Sequence, residues 1–192
     1  KGITHGVPQG SIIGPLLFII LVNDLHLKLN KCSLLMYADD TVLYYSDKKM
    51  VNIENVINNE ANVINQWIKE NCLLLNLKKG KTEFVVYGSR LSNQPKCKIN
   101  IDMTEINASE YYEYLGITLD KHLNLQHHFR KIQKRISSRI NLLSIIRYTI
   151  SPTIAESIFT TMINTLFLYC YPVFTSASLT TTIKLQSLQN RA

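Results

Sequence analysis

The sequence is poor in the residues that define several large protein classes. Its four cysteines, Cys32, Cys72, Cys97 and Cys170, lie far apart in 192 residues, with no CxxC pair and no histidine at metal-ligand spacing. Neither a zinc site nor a disulfide framework is indicated, and a reducing, intracellular setting fits best. Seven glycines and five prolines are too few for a collagen-like or low-complexity chain. The longest apolar stretch, residues 12–22, is interrupted by Gly14-Pro15 and falls short of the roughly 20 residues that a membrane span requires. No signal-peptide pattern precedes it, so no membrane partner is expected. Acids are spread most unevenly: positions 121–192 hold nine Lys and Arg but one acid, Glu156, whereas positions 1–120 hold 12 bases and 13 acids. A segment so one-sided in charge is expected to meet a polyanion.

What is present is globular: 46% apolar and 18% charged residues, in a chain long enough to bury a core. Gly2, Gly6, Gly10 and Gly14 crowd the start, and Pro15 opens the apolar run, which predicts a tight polar loop feeding a buried helix. Leu34-Leu35-Met36-Tyr37 and Thr41-Val42-Leu43-Tyr44-Tyr45 are β-favouring runs around Ala38-Asp39-Asp40, a hairpin with acids at its tip. Ile53, Val56, Ile57, Ala61, Ile64, Trp67 and Ile68 recur at helical spacing, with Ser46-Asp47 upstream as caps. Short runs at Leu73-Leu74-Leu75, residues 83–87, residues 98–101 and residues 114–119 predict antiparallel strands. Beyond Asp120, Leu125, Phe129, Ile132, Ile136, Ile140, Leu143 and Ile146 form one helical stripe. Ser151-Pro152 then restarts a helix carrying Ile154, Ile158, Met162, Leu166 and Cys170. The expectation is an α+β fold with a composition boundary near residue 121, dividing an α/β part at 1–120 from a basic, all-helical part at 121–192. The chain starts and stops inside patterned sequence and reads as a piece of something longer.

The sharpest chemical signal is Tyr37-Ala38-Asp39-Asp40. Adjacent carboxylates in a confined site ionise together only if a cation neutralises them, and hard divalent ions such as Mg²⁺ favour oxygen ligands. Two aspartates in a row also suit a solvated turn, so the surrounding blocks decide. GVPQGSIIGPLLFIILVNDL, MYADDTVLYY, WIKENCLLLNLKKGKTEFVVYG and YEYLGITLD, in that order, resemble a reverse transcriptase of the LINE-type (non-LTR) retrotransposons, over nearly the whole chain. Group II intron-type reverse transcriptases share the core motifs and are the alternative, but the last two blocks fit the LINE-type pattern better.

The resemblance implies a partial palm, an antiparallel sheet with helices, at 1–120 and a helical, thumb-like region at 121–192. It implies RNA-directed DNA polymerase chemistry: Mg²⁺- or Mn²⁺-dependent addition of deoxynucleoside triphosphates to a DNA primer on an RNA template. Asp39 matches the metal-binding catalytic aspartate, and Asp40 its required neighbour with less direct metal contact. Pro8-Gln9-Gly10, with Tyr37 and Ala38, matches the nucleotide-binding elements. Gly6 and Gly10 suit close backbone approach, and Gln9 offers both a donor and an acceptor. Lys81 matches a lysine near the nucleotide phosphates, with Lys78 and Lys79 as alternatives, and Tyr114-Leu115-Gly116 matches the hairpin that grips the primer end. Arg130, Lys131, Lys134, Arg135 and Arg139 match the thumb face that meets nucleic-acid phosphates.

Two-metal phosphoryl transfer takes carboxylates from two places. The resemblance places the other essential aspartate on a strand upstream of the Pro-Gln-Gly loop, and the fingers further upstream in the same polyprotein. This stretch by itself is therefore expected to be inactive. An inactive relic, or a basic nucleic-acid-binding module that has lost its chemistry, are the alternative function classes.

Overall fold

The computed structural model describes residues 7, 8, 10–88, 97–169 and 171–191. The chain divides into two compact units. The first comprises Lys1–Phe84 with Ser92–Ala108, and the second Val85–Leu91 with Ser109–Ala192.

In the first unit, helix α1 (Ile13–Val22) begins where the Ser11 hydroxyl accepts the Gly14 N–H at 3.0 Å, satisfying one free donor of the first turn. The helix forms as its sequence predicts, but the expected burial does not follow. Its apolar residues lie on every side, none is buried, and Ile13, Leu16, Ile19 and Ile20 are each about 60% exposed. Only Val22, at its end, joins a core, beside Leu25, Ile64 and Trp67. A 3-10 turn (Leu25–Lys28) leads to strands β1 (Ser33–Tyr37) and β2 (Asp40–Tyr44), an antiparallel pair in register from Ser33↔Tyr44 to Tyr37↔Asp40.

Helix α2 (Met50–Glu70) starts one turn after Asp47, whose carboxylate accepts the Lys49 N–H at 2.7 Å; Ser46 takes no part in that cap. Ala61, Ile64 and Trp67 are buried on the predicted face. Its asparagines do more than coat a solvated side. Asn58 accepts the Asn100 N–H at 2.7 Å and donates to the Lys98 carbonyl at 3.0 Å. Asn62 accepts the Asp102 N–H at 3.0 Å and donates to the Asn100 carbonyl at 3.1 Å. Two amides one helical turn apart thus stand in for a neighbouring strand along β4 (Ile99–Ile101).

The strand predictions between residues 73 and 120 need correction. Residues 73–77 alternate between partly buried and exposed positions, as a strand would, yet form no ladder with any strand among the described residues. Of residues 83–87, only β3 (Glu83–Phe84) pairs, and it runs parallel, not antiparallel, to β5 (Thr104–Ala108), which in turn pairs antiparallel with β4. Ile99, Ile101, Ile106 and Ala61 form the core under this small sheet.

The second unit opens with the antiparallel hairpin of β6 (Tyr111–Tyr114) and β7 (Ile117–Asp120). It precedes the composition boundary at 121 but packs with the helices that follow, because Ile117 and Leu119 rest against the α3 core. Helix α3 (Gln126–Ile146) buries Phe129, Ile132, Ile136 and Ile140 as predicted. Ser151 caps α4 (Pro152–Ile158), accepting the Ile154 N–H at 3.4 Å. A π-helical stretch (Phe159–Asn164) then precedes α5 (Thr165–Leu168), α6 (Tyr171–Phe174) and α7 (Leu179–Arg191). A π turn takes in more residues than an α turn, which changes the predicted stripe: Ile163 is fully buried while Met162 is 45% exposed. Cys170 lies outside the described residues. Among those residues no helix is long and apolar enough to cross a membrane.

Candidate active site and nucleic-acid interface

Asp39 and Asp40 stand where the sequence puts them, at the tip of an antiparallel hairpin. Tyr37 pairs with Asp40, so Ala38-Asp39 is a two-residue loop. Ala38 takes φ 52°, the positive value that such loops require at their first position, where glycine is the usual occupant. Asp39, Asp40 and Tyr37 are exposed, and neither carboxylate has a hydrogen-bond or ion-pair partner among the described residues. Adjacent hard-oxygen donors with no internal neutralising group fit a divalent cation such as Mg²⁺, which is commonly held by one or two carboxylates with waters and substrate phosphates. No group of three or more His, Cys, Asp or Glu side chains able to hold a metal occurs among the described residues.

The root of this hairpin is fixed by a residue the sequence reading missed. Glu60, buried on α2, accepts three backbone N–H groups from the loop entering β1: Asn30 at 3.2 Å, Lys31 at 2.7 Å and Cys32 at 2.8 Å. Burial acts to raise its pKa, but these bonds and the Cys32 thiol outweigh it and hold the carboxyl below its ordinary value. Burial, and then the hydrogen bond to Glu60, push the Cys32 thiol up to about 12. A glutamate inside an apolar helical stripe was the available signal.

Of the loop that resembles the nucleotide site, Pro8 and Gly10 are described and Gln9 is not. Pro8 accepts the Ser11 N–H at 3.1 Å, closing a turn in which Gly10 takes φ 84°. Apart from its chain neighbours, no heavy atom of the described residues lies within 4 Å of where a Gly10 Cβ would sit. Lys81 is exposed on the tight turn before β3, its N–H bonded to the Lys78 carbonyl at 3.0 Å. No hydrogen bond or ion pair joins it to Asp39 or Asp40.

Tyr114, Leu115 and Gly116 form the turn of the β6–β7 hairpin, with both loop residues at positive φ, 46° and 79°. The Tyr169 hydroxyl donates to the Leu115 carbonyl, and its ring lies 3.6 Å from where a Gly116 Cβ would sit. Helix α3 holds the hairpin from the side: His127 stacks on Tyr111 at 4.7 Å, Lys131 pairs with Glu113, and His128 Nδ1 accepts the Thr118 N–H at 3.2 Å. Burial, followed by Lys131 and Arg135, lowers the His128 pKa against the opposing pull of Glu113, so the neutral imidazole is favoured. The Lys131 hydrogen bond comes first among the causes that lower Glu113.

The five α3 cations divide by engagement. Lys131 is taken by Glu113, and Arg139 donates to the Met162 carbonyl. Arg130, Lys134 and Arg135 are exposed and make no ion pair among the described residues. Lys184, on α7, lines a shallow depression together with Arg130 and Lys134, a neighbour that spacing along the sequence does not reveal.

Residues 1–119 match the family described as reverse transcriptase (RNA-dependent DNA polymerase). The chain is 27% identical over 151 residues to the RNA-directed DNA polymerase from mobile element jockey of Drosophila melanogaster, covering 75% of this chain and 16% of that protein. It is 26% identical over 197 residues to the probable RNA-directed DNA polymerase from transposon BS of the same fly, covering 97% of this chain and 22% of that protein. It is also 27% identical to the Pol polyprotein from type-1 retrotransposable element R1 of Bradysia coprophila, covering 74% and 14%. The chain therefore spans between 14% and 22% of the length of these relatives. No solved structure matches it.

Proposed function

The chain belongs to the reverse transcriptase family, and from that premise we propose that it forms part of the RNA-directed DNA polymerase of a LINE-type retrotransposon, acting on a DNA primer annealed to an RNA template. The first unit and the β6–β7 hairpin correspond to palm, and the α3–α7 helices to thumb. The observation that carries the reading is the pair of unpartnered carboxylates at the tip of a two-residue hairpin.

In this reading Asp39 and Asp40 hold Mg²⁺ or Mn²⁺, which when bound stabilises charge on the phosphates of the incoming deoxynucleoside triphosphate. Pro8, Gln9 and Gly10, with Tyr37 and Ala38, line the nucleotide, and the Lys81 ammonium faces the leaving phosphates. The turn at Tyr114, Leu115 and Gly116 bears on the primer end. Arg130, Lys134 and Arg135 meet backbone phosphates. Lys131 and Arg139 orient the helix through their internal bonds.

Paramagnetic Mn²⁺ titrated into isotope-labelled chain tests the metal assignment. Broadening centred on residues 37–41 and removed by Asp39→Asn is expected; broadening that survives Asp39→Asn with Asp40→Asn overturns it. Two carboxylates from one hairpin make half of a two-metal cage, so primer extension on poly(rA) by this chain alone is expected to fail. Incorporation that Asp39→Ala abolishes would show that this hairpin suffices.

A further inference from the structure

The loop of the β6–β7 hairpin holds a conformation that leucine seldom adopts, with Leu115 at φ 46° followed by Gly116 at φ 79°. A non-glycine residue there relaxes to negative φ unless its neighbours prevent it. The Leu115 carbonyl accepts the Tyr169 hydroxyl, 54 residues further along the chain. The Tyr169 ring lies over Gly116, 3.6 Å from where a Cβ would sit, which is ordinary contact, so the directed bond comes from the hydroxyl. Tyr169 is itself held. Helix α5 ends at Leu168, and Tyr169 leaves it in an extended conformation, φ −62° and ψ 120°, with its N–H on the Thr165 carbonyl at 2.9 Å. The π-helical stretch before α5 is pinned to α3 by the wholly buried Ile163 and by the bond from Arg139 to the Met162 carbonyl. Yet Tyr169 is 52% exposed, so burial does not account for its place.

We infer that Tyr169 is the positioning residue of this turn: its hydroxyl sets the peptide between Leu115 and Gly116 in the orientation that meets the primer terminus. The inference rests on the reading of Tyr114, Leu115 and Gly116 given above and deepens it by naming the group, on a distant element, that shapes the turn. His128 and Lys131 brace the strands through Thr118 and Glu113, whereas Tyr169 bonds the loop itself. A trans peptide points its N–H opposite its carbonyl. Tying the Leu115 carbonyl to Tyr169 therefore turns the Gly116 N–H to the other face, where it has no hydrogen-bond partner among the described residues. Without the hydroxyl, the strain at Leu115 favours rotation of that peptide, and the loop loses one defined shape.

The test titrates the full chain into a DNA primer ending in 2-aminopurine, annealed to an RNA template that carries a dye at its distant end. Anisotropy of the dye reads binding, and 2-aminopurine emission reads the surroundings of the primer terminus. Losing one hydrogen bond shifts an equilibrium by about fivefold, so Tyr169→Phe, which keeps the ring, is expected to lose most of the emission change and leave binding as it was. Adding Leu115→Gly, which removes the strain that the hydroxyl opposes, is expected to restore the emission change. Tyr148→Phe, at an exposed tyrosine just past the end of α3, is expected to alter neither reading. Emission that Tyr169→Phe leaves intact, or that Leu115→Gly does not restore, overturns the inference and leaves the polymerase reading standing. Binding, emission and melting temperature that fall together make Tyr169 a packing residue and overturn it as well. A parent chain that binds the hybrid without an emission change, or does not bind it, overturns the reading of the turn and with it the role of Tyr169.

Discussion

The β1–β2 hairpin and the β6–β7 hairpin both close through a two-residue loop that starts with a non-glycine residue at positive φ, Ala38 at 52° and Leu115 at 46°. Such a residue costs about 1–2 kcal/mol, and a turn keeps it only where the surroundings insist. Around Leu115 they do: Tyr169 holds its carbonyl, His128 takes the Thr118 N–H and Lys131 secures Glu113. Around Ala38 no described residue bonds the aspartate carboxylates, and the hairpin is anchored at its root by Glu60. Under the proposed function, a turn that bears on the primer end would have its shape before the primer arrives, and the Asp39-Asp40 tip would present bare charge for a cation to complete.

The largest test of that contrast sets the α3 core under β6–β7 against the outward face of β1, since the core beside β1–β2 takes Leu34, Met36 and Leu43 but not Leu35. Ile136 is wholly buried, whereas Leu35 is 48% exposed. Ile136→Ala is expected to cost about 2–5 kcal/mol and Leu35→Ala under about 1 kcal/mol, measured by denaturant unfolding. Similar losses would mean that β1–β2 is as firmly packed as β6–β7.

Next comes the anchor. Glu60→Gln leaves N–H groups of the β1 entry poorly accepted and should cost about 1–3 kcal/mol. Because the Glu60 pKa is lowered in the fold, its contribution is complete above the ordinary value of 4.5 and is lost as pH falls through the lower folded value. The same substitution removes a negative partner of Cys32, so alkylation of that thiol, very slow when its pKa is about 12, should accelerate while exposed Cys72 is unaffected. An unchanged Cys32 rate would separate Glu60 from the hairpin root.

The two turns should respond oppositely to a change at their positive-φ positions. Gly116→Ala should destabilise by about 1 kcal/mol through backbone strain, since its Cβ meets only ordinary contact with Tyr169. Ala38→Gly, which relieves strain but adds unfolded-state freedom, should fall between neutral and about 1 kcal/mol stabilising. A destabilising Ala38→Gly would show that the tip is held by contacts after all.

The smallest effect is a pH slope confined to the clamped hairpin. His128 has a depressed pKa in the fold, so the unfolded chain binds its proton more readily. Its share of stability is full above the ordinary imidazole value of 6.5 and declines as pH falls from there towards the folded value. The slope should vanish in His128→Asn, followed by urea midpoints between pH 5 and 8.

These contrasts were only partly legible in the sequence. The Asp39-Asp40 hairpin, α2, α3 and the Ser151 cap follow from period and turn chemistry, which are local. The parallel β3–β5 pair and the unpaired extended segment at 73–77 depend on which chain lies alongside, and no period records that. The π stretch at Phe159–Asn164 shifted burial from Met162 to Ile163 because the rule assumed 3.6 residues per turn. Glu60, Tyr169 and Lys184 escaped notice for another reason: each acts on a partner at least 28 residues away in sequence or on another helix. Lys81 and Pro8-Gln9-Gly10 were singled out through family resemblance alone, since neither a lone lysine nor a Pro-Gln-Gly tripeptide has a spacing of its own.

The amides of Asn58 and Asn62 have a bearing on self-association. An edge strand with free N–H and C=O groups is a template on which another chain can grow a sheet. Along β4 those groups are already taken, by side chains too short to extend the ladder further. Exchanging both residues for alanine would leave α2 its helical propensity and strip β4 of that cover, so the double variant should turn to intermolecular β-structure at concentrations where the parent chain stays dispersed. Among these helix residues, two asparagines would then act as gatekeepers against aggregation, a role usually credited to charged residues or proline on the strand itself.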